Sequence, residues 1–153
     1  MSAAHDVMNY GYMIDSDRKV IFQAFEGRFS LTQIIACVRR LWNDPAYSKT
    51  YPGIVDISRM TPSAGLDDLN GLVDFLKSET QTSTSRWAVI TSSPAATAGS
   101  MVYKRIMAGR HVFEVFSTWE SACEFLQLEI TERPAIPFLP DMGGAEPTPS
   151  VVI

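Results

Sequence analysis

Between Ile54 and Leu69 the chain reads IVDISRMTPSAGLDDL. Asp56 stands at the end of an apolar run, and Ser58, Thr61 and Ser63 follow before a helical pattern begins. Ser92 and Ser93 occupy the corresponding position after a second apolar run, RWAVIT. A carboxylate and hydroxyls at a strand-to-helix step have three chemical uses. They accept a phosphoryl group as a switch, they hydrogen-bond a ligand, or they cap the helix by accepting from its free N–H groups. Ser63 is placed to cap the second helix. A phosphate there would meet the favourable end of the helix dipole, but Asp67 and Asp68 in the next turn would repel its charge. Asp56 is expected to bond loop N–H groups, as aspartate does in turns, or to orient a ligand.

Other reactive types are thinly spread. His5 and His111 are far apart, and Cys37 and Cys123 lack metal-ligand spacing, so no metal site is expected. Both cysteines sit in helical apolar patterns and read as packed, reduced thiols. No nucleophile elbow, phosphate-binding loop or dinucleotide fingerprint occurs, so no catalytic residue and no cofactor are assigned. A separate group, Met101, Tyr103 and Met107, with Phe113 and Phe116 beyond it, would suit a small apolar ligand. The same residues would also serve as ordinary core, because methionine fills irregular gaps.

These residues need elements to hold them. Tyr10–Asp15 and Lys19–Phe25 read as a hairpin across Asp15–Arg18, with Gly27 breaking the second strand. Ser30 and Gln33 have capping-box spacing, and Leu31, Ile34, Ile35, Val38, Leu41 and Trp42 make one apolar stripe. Asn43-Asp44-Pro45 ends that helix. Gly53–Ile57 is a short strand. Leu66, Leu69, Leu72, Val73 and Leu76 form the next helical face. Arg86–Thr91 is a strand, and Ser93-Pro94 opens a third helix that runs to a C-cap at Gly109. His111–Phe116 is the last strand, and Ser117 with Glu120 is a second capping box. The order β-β-α-β-α-β-α-β-α argues for an open mixed sheet with parallel core strands and right-handed crossovers. If the strands before Ser58 and Ser92 are neighbours, their ends share the carboxyl edge, where open α/β sheets bind ligands.

At 153 residues one domain is expected. A net charge of −4 without any Lys/Arg run disfavours nucleic acid. No stretch is apolar for long enough to span a bilayer, and the N-terminus lacks the pattern of a signal peptide, which leaves the cytoplasm as the expected location. Residues 1–8 read as an arm, 9–130 as the domain, and 131–153 as a tail holding five of the nine prolines.

The hairpin, GRFSLTQI, LWNDPAY, IVDIS and FEVFSTWESACEFL together resemble the small bacterial single-domain STAS proteins of the SpoIIAA-like branch. The resemblance implies an α/β fold with a mixed sheet of four to five strands and about four helices packed mainly on one face. It also implies a non-catalytic role in binding partner proteins, nucleotides or other small ligands. The fold is similar to the lipid-binding part of CRAL-TRIO proteins. In the anti-sigma antagonists of the family the loop carries an Asp-Ser-Ser-Gly type motif whose second serine is phosphorylated. Here Pro62-Ser63-Ala64-Gly65 stands in its place, with alanine at the phosphorylated position.

Two readings follow. One is a regulatory or protein-interaction module without catalysis, acting through Asp56, Ser58, Thr61, Ser63, Ser92 and Ser93 on an unidentified partner. The alternative is a carrier or sensor of a small apolar ligand or lipid, acting through Met101, Tyr103 and Met107. Helices on one face leave the other needing cover, which the apolar segment AIPFLP would give within its own chain or across a homodimer.

Overall fold

The computed structural model describes residues 8–61, 66–130 and 132–140. The hairpin is β1 (Asn9–Asp15) and β2 (Val20–Arg28). After it come α1 (Leu31–Trp42), β3 (Gly53–Thr61), α2 (Leu66–Ser78) and β4 (Arg86–Ile90). The last three elements are α3 (Pro94–Ile106), β5 (Val112–Phe116) and α4 (Trp119–Leu126). The element order is the one the sequence implies. The sheet order is β1-β2-β3-β4-β5, antiparallel only at β1–β2.

That order dictates where the helices go. Each parallel crossover steps in the same direction, so right-handed connections lay α1, α2 and α3 on the same face. Ile21, Phe25, Val55 and Trp87 point to this face and pack with Cys37 and Leu41 of α1. Helix α4 follows the last strand and is not a crossover. It packs on the opposite face, with Ala122, Cys123 and Leu126 against Val20, Phe22, Ile54, Ala88 and Ile90. Strand β2 is therefore buried on both sides, which explains its nearly unbroken apolar run.

Local signals set the helix starts. Ser30 and Gln33 make both bonds of the capping box, at 3.2 and 2.7 Å. Ser93 caps α3, accepting from the Ala96 N–H at 3.1 Å, with Pro94 next to it. Four boundaries differ from the sequence reading. Gly27 does not end β2. It adopts φ +93° within the strand, beside a register shift between Ala24 and Glu26. A bulge of this kind lets the strand bend and continue. The prolonged β2 then pairs β3 as far as Thr61, opposite Arg28, so Ser58 and Thr61 lie in the same strand as Asp56 and not in a loop. Helix α3 is capped by Met107, and Gly109 takes positive φ in the turn beyond. Helix α4 is capped by Thr118, not Ser117. Two adjacent cap-forming residues offered no local basis for choosing, and the backbone turns helical only after Thr118.

The first part of the tail is docked. Phe138 makes an antiparallel bridge to Gly11, and the Leu139 N–H bonds the Tyr10 carbonyl at 2.8 Å. A side chain at Gly11 would put its Cβ 2.2 Å from the Pro137 carbonyl oxygen, so this approach requires glycine. Ile136 and Ile130 pack on the α4 face, whereas Leu139 joins the cluster around Tyr10 and Phe25. The face opposite α1–α3 is thus covered by α4 and the chain's own tail. An uncovered face was the reason for expecting a homodimer, and that reason is gone.

Candidate functional site

The hydroxyls of the β3 and β4 ends form one network. Asp56 is 3% exposed and faces α4, in register with Ala24 and Ile90. Its Oδ1 accepts from the Ser58 N–H at 2.9 Å and the Ser58 hydroxyl at 2.6 Å. Its Oδ2 accepts from Trp119 Nε1 at 3.2 Å and from the guanidinium of Arg133. The Ser92 hydroxyl donates to the Ser58 carbonyl at 2.5 Å, which ties β4 to β3. Ser93 is engaged as the α3 cap. The structure thus joins Asp56, Ser58 and Ser92 and leaves Ser93 beside them. Thr61 stands apart, exposed at the far end of β3 on the cavity described next. Ser63 and its PSAG segment lie outside the described residues.

The larger feature lies on the other side of the sheet. Between the sheet and α1–α3 is a cavity of about 390 Å³, open to solvent. Phe25 and Val55 from the sheet, Ile34 from α1 and Leu72 from α2 give it apolar walls. Helix α3 contributes Ala96, Gly99, Ser100 and Tyr103, at the i, i+3, i+4, i+7 positions of one face. Three small residues in a row on the sheet-facing side leave the volume that larger ones would fill. Among the described residues Thr61 and Val102 are the exposed ones of its lining and mark its mouth.

A second cavity of about 120 Å³ adjoins the first, and the two share Gln23, Val38, Val55, Leu76, Tyr103 and Phe113. Its far end is polar. His111 Nδ1 lies 3.3 Å from the Ser83 carbonyl oxygen, which only accepts, so Nδ1 carries the ring proton. Nε2 then accepts from the Tyr103 hydroxyl at 3.2 Å. Burial pushes the His111 pKa below its ordinary value, against a smaller upward pull from the Ser83 carbonyl, and burial pushes the Tyr103 hydroxyl up. Both groups are neutral at neutral pH. Among the described residues no charged side chain lines either cavity.

Of the residues read as apolar-ligand candidates, Tyr103 lines both cavities. Met101 is 49% exposed, because two residues along a helix is a rotation of about 200° away from Tyr103. Met107 is fully buried with Val73 and Leu76 and lines neither cavity. Ala96, Gly99, Ser100 and Gln23 were not singled out from sequence. The small-residue spacing was visible, but which side of α3 meets the sheet was not.

No family model and no curated protein matches the sequence. Among solved structures the chain is similar to an uncharacterized protein of the DUF3478 family with a SpoIIAA-like fold from Shewanella loihica PV-4. That likeness has a TM-score of 0.52 and 13% identity, covering 78% of this chain and 94% of that one. At that identity the likeness speaks for architecture alone. The five-stranded mixed sheet, the three crossover helices on one face and this match give the same answer: the chain has a SpoIIAA-like fold.

Proposed function

We propose that the protein is a non-catalytic carrier or sensor that takes a small apolar ligand into the space between its sheet and α1–α3. The observation that carries this reading is the 390 Å³ cavity with apolar walls. Ligand pockets typically measure about 300–1,000 Å³ and combine apolar walls with few polar groups. An apolar cavity of roughly 150 Å³ already takes up benzene. A bound apolar molecule would take these walls out of water, at about 25 cal/mol per Å² of apolar surface buried.

Catalysis has little support. His111 is bonded to the Tyr103 hydroxyl and to the Ser83 carbonyl, and the Ser83 hydroxyl beside it is engaged with the Lys49 carbonyl and Trp87 Nε1. No helix of the described residues is long and apolar enough to cross a membrane. Cys37 and Cys123 are free and buried, which fits a reducing compartment such as the cytoplasm.

The interaction-module reading is supported by a different observation. Met101 and Val102, 49% and 38% exposed, are consecutive on α3, and Val102 lines the cavity mouth. A partner protein seated there would sense whether the cavity is filled.

Native mass spectrometry tests the main reading. Protein mixed with the neutral dye N-phenyl-1-naphthylamine is expected to carry one dye per chain and to enhance its fluorescence saturably. Non-saturating fluorescence without a one-to-one adduct would sink it.

A further inference from the structure

We propose that the cavity selects an uncharged ligand bearing an acceptor oxygen, a ketone, aldehyde or ester carbonyl on a small apolar skeleton, and that Gln23 reads this oxygen. The inference rests on the cavity reading above and adds the ligand's chemical class.

Gln23 is the polar member of the buried run Val20–Phe25. It sits mid-strand on the cavity face, in register with Tyr12 and Val55, and lines both cavities where they meet. It is 9% exposed. A buried amide is costly unless both its ends are bonded. Its Oε1 accepts from the Tyr10 hydroxyl at 2.8 Å. Tyr10 is fully buried, and with the amide flipped its oxygen would accept from Nε2 while its phenol proton would be left without an acceptor among the described residues. The Tyr10 bond therefore fixes the orientation and leaves Nε2 on the other side.

Among the described residues nothing accepts from Nε2. Nor is any fully enclosed side-chain nitrogen or oxygen left without a partner there, so Nε2 reaches open space. The space it borders is the cavity. The other polar groups are mostly committed elsewhere: His111 and Tyr103 to each other, and the Thr82 hydroxyl to the Leu76 carbonyl at 2.5 Å. Ser100, 8% exposed on the facing helix, either donates or accepts, and so imposes no sign on the ligand. Gln23 does impose one. Its amide nitrogen only donates, and the matching ligand atom must accept.

Charge is excluded by the same walls. No lysine or arginine lines either cavity among the described residues. A carboxylate there would be buried without a counter-charge, which costs far more than a neutral carbonyl that finds one donor. The ligand is then a neutral carbonyl compound and not a fatty acid anion.

Three molecules of nearly one shape separate the possibilities: 2-acetonaphthone, 2-isopropylnaphthalene and 2-naphthoate. Their dissociation constants are measured on the full chain and on Gln23→Met. The ratio of ketone to hydrocarbon affinity is expected to fall about 3- to 10-fold in the variant, the worth of one neutral hydrogen bond. Comparing ratios cancels the two molecules' different affinities for water. In the wild type at about pH 8, naphthoate should bind at least roughly tenfold more weakly than the ketone. Because Gln23→Met strands the Tyr10 proton, Tyr10→Phe/Gln23→Met is measured beside it, removing both partners together. An unchanged ratio, or naphthoate as the tightest ligand, overturns the assignment of Gln23 while the cavity reading stands. Failure of all three to bind the wild type overturns the cavity reading and this inference with it.

Discussion

Arg133 bonds the carboxylate of Asp56, which lies 77 positions earlier in the chain. Its guanidinium carbon also stands 5.1 Å from the centre of the Trp119 ring. Asp56 is 3% exposed at its side chain and Arg133 45%, so a buried charge of β3 is met by a half-open charge from the tail. The two other donors to this carboxylate, Ser58 and Trp119, are neutral. The pair fastens the docked part of the tail across α4 and completes the cover over Val20, Phe22 and Ile54. A buried carboxylate that loses its counter-charge is left with its desolvation only partly offset.

Arg133→Ala is therefore expected to lower stability by about 1–3 kcal/mol, the range for a charge-assisted bond to a buried group. A chain ending at Ile130 should lose more, since Ile136 and Leu139 leave their clusters as well. Urea denaturation of the three proteins checks this. A midpoint for Arg133→Ala equal to wild type would show that the contact contributes nothing.

What was legible in the sequence was what is local. Ser30 with Gln33, and Ser93 with Pro94, announce their helices within four residues, and the structure has both. The alternation of strands and helices gave the mixed sheet, because right-handed crossovers leave few other arrangements. Asp56 was visible as a singular residue. Its partners Trp119 and Arg133 were not, since each lies more than sixty positions away. The extent of β3 was hidden for a related reason. It depends on the bulge beside Gly27 in another strand, and so Thr61 passed for loop. The cavity was hardest to see. Ala96, Gly99 and Ser100 look like a small-residue face in any helix, and only the direction of α3 makes that face a wall. Gln23 read as one more strand residue until Tyr10 was found to hold one end of its amide.

The buried imidazole gives a pH dependence with a definite sign. Burial lowers the His111 pKa from the ordinary 6.5, so the folded chain keeps the ring neutral where the unfolded chain would charge it. In that window the unfolded state binds more protons. The His111 contribution is present above about pH 6.5 and is lost as the pH falls below it. Stability is expected to drop between about pH 7 and pH 5 in wild type, and less steeply in His111→Phe, which fills the same place without titrating. Urea midpoints at the two ends of that range supply the slopes. Parallel slopes would mean that folding does not lower the His111 pKa.

Two helix-interior glycines set the cavity against ordinary packing. A Cβ at Gly99 of α3 meets nothing within 4 Å, whereas one at Gly71 of α2 meets the Leu31 side chain at 2.6 Å. Alanine at either position restricts the unfolded chain and favours the helix by about 0.5–1 kcal/mol. Gly99→Ala should keep that gain as a higher melting temperature. Gly71→Ala should give back part of it, because Leu31, which also lines the cavity, has to move. The decisive variant is Gly99→Leu. Its side chain enters the space that an apolar ligand would use, and it does so without displacing any neighbour at the Cβ. The fold should stay as stable as wild type, while affinity for N-phenyl-1-naphthylamine drops at least about tenfold, the scale of losing a ligand-sized volume. A folded Gly99→Leu protein that binds the dye as tightly as wild type would place the ligand elsewhere. A variant that loses stability and binding together would mark the gap beside Gly99 as part of the packed core.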